Sequence, residues 1–203
     1  MICAFCQAPL PEGAAFCPAC GHRIQSGTPA QTDRNPETIV LLKILQEASE
    51  YEQKDDYQSE LRVLSKGLRI APDSGTLMLR LGRAWWRLGY DQKAMEYYRE
   101  AERLNPGDPV IYVNIAALYI SRGMYAEARL YCRRGIEMIE ADPLSATAGD
   151  TAVAYGNYAL CLGELGDLAG AKNYLAIARE KGYRRESIEN ICSRLHLDPD
   201  AIE

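Results

Sequence analysis

Residues 75–108 read GTLMLRLGRAWWRLGYDQKAMEYYREAERLNPGD. Leu81 and Trp85 lie four apart on one helical stripe, and Gly82 removes a side chain where a second helix must come close. Gly89 then ends the first helix. Ala94, Tyr98 and Ala101 form the apolar stripe of a second helix, small residues at a crossing and one large residue filling the groove between them. Asn105 and Pro106 stop it. The stretch is a helical hairpin.

The same spacing recurs along the chain. A shift back by 34 residues puts Ile44, Ala48, Tyr51, Leu64, Gly67 and Pro72 in corresponding places. This is a poorer copy, with Asp55 where glycine is expected and Glu60 where alanine is, and the departures predict a splayed hairpin or an altered turn. A forward shift by 34 gives Tyr112, Ile115, Ala116, Tyr119, Gly123, Ala128, Cys132 and Gly135. Asp142-Pro143 ends that copy, Leu144 to Thr151 reads as an insertion of small and polar residues, and Tyr155, Tyr158, Ala159, Leu162, Gly166, Ala171, Leu175 and Ala178 form a fourth. Ile188, Ile191, Cys192 and Leu195 then recur at the spacing of one more amphipathic helix, a cap with a polar outer side.

Met78, Leu81, Gly82, Trp85, Gly89, Ala94, Tyr98, Ala101 and Pro106 fall on the W-x2-L-G-x2-Y…A-x3-F…A…P pattern, so the chain from about Pro36 to Leu197 resembles a tetratricopeptide repeat array. The resemblance implies an all-α, right-handed superhelical array over 36–183, with repeats at about 41–74, 75–108, 109–142 and 152–183 and a capping helix at 184–197. It further implies that the first helix of each hairpin lines a concave groove that takes an extended peptide or a helix of a partner protein. By phase, the groove donors are Gln46, Arg80, Asn114 and Asn157, with Arg83 and Arg87 one and two turns beyond Arg80. Leu79, Trp86, Val110, Val113, Ala117, Val153 and Leu160 supply apolar contact. Three arginines favour an acidic or mixed peptide. A clamp for a C-terminal carboxylate is not expected, because of its basic and amide positions only Asn114 matches.

The front of the chain has a different grammar. Cys3-Ala-Phe-Cys6 and Cys17-Pro-Ala-Cys20 are two C-x2-C pairs ten residues apart, the form of a closed four-thiolate zinc site. Residues 1–24 resemble the short zinc ribbon found at the front of many bacterial proteins, although Gln7 stands where a glycine would ease the first turn. So short a segment cannot bury enough apolar surface to fold alone, so one structural Zn2+ supplies the folding energy. His22 is read as a neighbour of the site. Residues 25–35, polar and holding Gly27 and Pro29, are a flexible linker.

Charge and composition narrow the function. The net charge is -5, and Glu12 and Arg23 are the only charged side chains in the first 23 residues, so a phosphate-binding surface is not expected. MICAFCQAPL has neither a basic n-region nor a long apolar run, which predicts no leader, no membrane insertion and a cytoplasmic location. No nucleophile elbow, phosphate loop or open metal site is present, so a non-enzymatic adaptor or scaffold is expected. Two other functions remain open: a zinc-thiolate redox switch acting on the array, and a ribbon that touches nucleic acid inside a larger complex. Cys132, Cys161 and Cys192, on helices with apolar neighbours, read as buried thiols.

Overall fold

A computed structural model describes residues 36–202; the four N-terminal cysteines and the linker lie outside the described residues. Four hairpins follow one another: α1 (Pro36–Glu52) with α2 (Tyr57–Ile70), α3 (Gly75–Arg87) with α4 (Asp91–Leu104), α5 (Pro109–Ser121) with α6 (Tyr125–Ala141), and α7 (Ala148–Glu164) with α8 (Leu168–Glu180). Helix α9 (Arg185–Arg194) closes the series, and a 3-10 turn at Pro199–Ala201 follows it. Among the described residues there is no strand.

The positions that set the repeat are the positions that pack. Ala94, Ala128 and Ala171 are fully buried at equivalent crossings, as are Tyr98, Cys132 and Leu175 one turn on. A Cβ built on Gly82 would stand 2.5 Å from the Tyr98 ring, so only glycine lets α3 and α4 meet there. Fully buried Leu64, Leu77 and Leu81 join the first two hairpins, each contributing about 2 kcal/mol by loss of apolar surface from water. Helix α5 has neighbours on both sides and buries residues nearly all round: Ile111, Tyr112, Val113, Ile115, Ala116 and Leu118.

Turn chemistry repeats as faithfully. At Gly89, Gly123, Gly166 and Gly182 the backbone is left-handed, and the residue after each bonds back to the carbonyl five residues earlier. Asp55 does the same at φ 55°, with Asp56 N–H donating to the Tyr51 carbonyl. The first hairpin is therefore not splayed at its turn; an aspartate tolerates the left-handed conformation well enough to keep it. His196, at φ 54°, ends α9 in the same way.

Two boundaries differ from the sequence expectation. Helix α7 begins at Ala148, because Thr147 and Asp150 form a reciprocal capping box, so half of the expected insertion is an extra helical turn. Beyond α9 the chain turns back and buries Ile202, which belongs to the same core as Ile188, Ile191, Cys192 and Leu195.

Candidate functional site: the face formed by the first helices

Helices α1, α3, α5 and α7 carry the residues assigned to the groove, and the structure sorts them by what they already touch. Gln46 and Val153 are exposed, Val110 and Trp86 are half-buried, and Arg87 is exposed with its guanidinium 5.6 Å from the centre of the Trp86 ring. Leu79, Val113 and Leu160 are buried among their neighbours, so they shape the wall more than they present surface.

Arg80, assigned by phase to the groove, already has its donors engaged within the array. Its Nη1 donates to the Leu45 carbonyl at 2.9 Å and its Nη2 faces Glu52 at 3.4 Å and Glu60 at 3.6 Å, with only 14% of the side chain exposed. Glu52 also takes Arg83. Glu60 is 3% exposed at the crossing where the other hairpins place alanine. Burial, then the nearby Glu52, pushes its carboxyl up to about 7, while Arg80 and Arg83 hold it down. The charge that made the first hairpin look irregular is thus answered by an arginine of the second. Arg80 is a strut between hairpins, and Arg83 is partly committed to the same network.

The asparagines differ from each other. Asn114 donates its Nδ2 to the Val110 carbonyl at 2.7 Å, a bond within its own helix. Asn157 leaves its Nδ2 buried without a partner among the described residues.

A cavity of about 460 Å³ lies against α3 and α5. Leu79 and Val110, from adjacent hairpins, line it together with Leu144 and Ala146 from the segment before α7. Leu144 stands 87% exposed. Asp108 and Asp150 stand at the same cavity, each capping a helix start, and burial then the nearby Asp150 carboxylate raise the Asp108 carboxyl. The inserted segment, read from the sequence as small and polar residues, contributes the exposed Leu144 to this surface.

Cys132, Cys161 and Cys192 are buried and unpaired. The hydrogen bond with Cys161, followed by burial, raises the Cys132 thiol well above its ordinary range, and burial raises Cys192, so neither Cys132 nor Cys192 is poised to react. No described helix is long and apolar enough to cross a membrane.

Comparison with known proteins agrees with this architecture. A zinc-ribbon domain family matches residues 2–24, and tetratricopeptide repeat families match residues 76–108 and 109–142. The Protein CTR9 homolog of Arabidopsis thaliana is 38% identical over 56 residues, which is 28% of this chain and 5% of that protein. Among solved structures, PilF of Pseudomonas aeruginosa superposes with a TM-score of 0.69 at 17% identity, over 80% of this chain and 70% of that one. A putative kinesin light chain from Podosopora anserina with nearly identical TPR-like repeats gives 0.56 at 15% identity, over 80% and 95%. At these identities the likeness is one of fold.

Proposed function

For a tetratricopeptide repeat array set behind a zinc-ribbon segment, we propose the role of a non-enzymatic cytoplasmic adaptor that holds a segment of another protein along α1, α3, α5 and α7. The observation that carries this reading is the open recess where Leu79, Val110, Leu144 and Ala146 stand together, rimmed by Asn105, Asp108, Ser145, Thr147 and Asp150. An apolar side chain of the partner fills that recess. Gln46, exposed on α1, offers N–H donors to the partner's carbonyl groups, and Arg87 beside Trp86 receives a carboxylate. With Arg80 and Arg83 engaged by Glu52 and Glu60, and with Asp108 and Asp150 at the cavity, the partner segment is mixed in charge rather than strongly acidic.

In the ribbon, Cys3, Cys6, Cys17 and Cys20 hold one zinc ion. Four thiolates suit that metal and leave no coordination position for substrate, so zinc supplies folding energy there and no chemistry.

The reading is tested by capturing partners from native lysate with the full chain and with a variant carrying Leu144→Asp and Gln46→Ala, both at exposed positions. Leu144 is almost fully exposed, so the array keeps its fold. Recovery of the partner falls at least about ten-fold, a loss of about 1.4 kcal/mol in binding, while the helical melting curve is unchanged. Equal recovery by the variant removes the groove from consideration.

A further inference from the structure

The two ends of the array are finished differently. At the C-terminal end α9 and the turn after it cover the last hairpin, burying Ile188, Ile191, Cys192, Leu195 and Ile202. At the other end α1 has no hairpin before it among the described residues, and Ile39, Val40 and Leu42 are exposed by 39%, 43% and 62%. An array that ends on apolar side chains needs a cap at both ends.

The pattern along α1 says what kind of cap this is. On a helical wheel Ile39, Val40 and Leu42 share the open side with Lys43, Gln46, Glu47 and Glu50, all exposed. That side is apolar only over its first two turns and charged beyond. A second copy stacking as another hairpin would cover the whole length and desolvate Lys43, Glu47 and Glu50. The occupant is instead short and sits at the N-terminal end of the helix, where the chain itself enters. Residues 1–24 carry Ile2, Phe5, Leu10, Phe16 and Ile24 and only Glu12 and Arg23 as charges. Eleven linker residues join them to α1, a flexible tether with a root-mean-square span of roughly 18 Å, which gives an effective concentration on the order of millimolar.

We propose that the zinc ribbon of residues 1–24 docks on the Ile39, Val40 and Leu42 surface of α1 and caps the open end of the array. Ribbon and array then move as one body, and loss of zinc uncovers α1.

The test uses the zinc-loaded full chain. By ¹⁵N relaxation, ribbon amides share the rotational correlation time of the array, and Ile39→Ser with Leu42→Ser lowers the ribbon's value at least about two-fold while the array amides keep theirs. A ribbon that tumbles independently in the unsubstituted protein overturns the proposal. So does a dimer in sedimentation velocity that the double substitution makes monomeric, since a second copy is then the occupant. Should the double variant lose helical content, hydrogen exchange of the unsubstituted chain decides. Stripping zinc with a chelator speeds exchange in the first two turns of α1 at least about ten-fold if the ribbon covers them, and unchanged exchange overturns the proposal.

Discussion

Replacing Arg80 with methionine tests whether the first hairpin is held by charge pairing across the hairpin boundary. Methionine keeps most of the buried stem and removes the cation that Glu60 faces at 3.6 Å. The carboxyl of Glu60 stands at about 7 in the folded chain against an ordinary 4.5, so the folded state holds a proton that the unfolded state has released between those values. Its stabilising contribution is complete below pH 4.5 and is lost as pH rises through 7. The whole span is worth at most about 3 kcal/mol. At pH 8 the variant either buries an ionised Glu60 beside Glu52 with Arg83 as the remaining cation or takes up a proton there, a cost of up to about 3 kcal/mol. At pH 5 Glu60 is protonated, and the cost falls to about 1 kcal/mol for the lost bond to the Leu45 carbonyl. Hydrogen exchange of α1 and α2 amides reads the difference, after correction for the intrinsic pH dependence of exchange. Protection falls by up to about 150-fold at pH 8 and by about five-fold at pH 5, since stability in a repeat array is local. Equal losses at the two pH values, or less than about a three-fold loss at pH 8, refute the buried network.

Tyr98→Phe removes a fully buried hydroxyl that has no partner among the described residues and keeps the ring over Gly82. It raises stability by up to about 1 kcal/mol, seen as a melting temperature about 2–4 °C higher. Cys17→Ser breaks the four-thiolate set, so native mass spectrometry finds the full chain without its zinc, while the hairpins keep their helical circular dichroism.

The parts of the fold that were legible in the sequence are those in which packing dictates a residue type. Glycine and alanine at the helix crossings, a larger side chain between them (Tyr98, Cys132, Leu175), and glycine at the turns mark every hairpin after the first. The first hairpin was harder to read because its answer lies in another repeat: Glu60 is explained by Arg80, twenty residues on and across a hairpin boundary. Local periodicity carries no such signal. Helical phase names a face and not a partner, and Arg80 spends its donors on Leu45, Glu52 and Glu60. The start of α7 could have been found, since Thr147 and Asp150 stand at capping-box spacing. The cavity could not, because it needs Leu79, Val110 and Leu144 from three separate segments.

Photo-crosslinking in living cells tests the central claim most directly. A photoreactive side chain is placed in turn at Gln46, Val110 and Val153 on the proposed groove, and at Leu130 and Arg133, exposed on α6. The account predicts that one partner protein is trapped from all three groove positions and from neither α6 position. Trapping from α6 alone contradicts it, and moves recognition to the other face of the array.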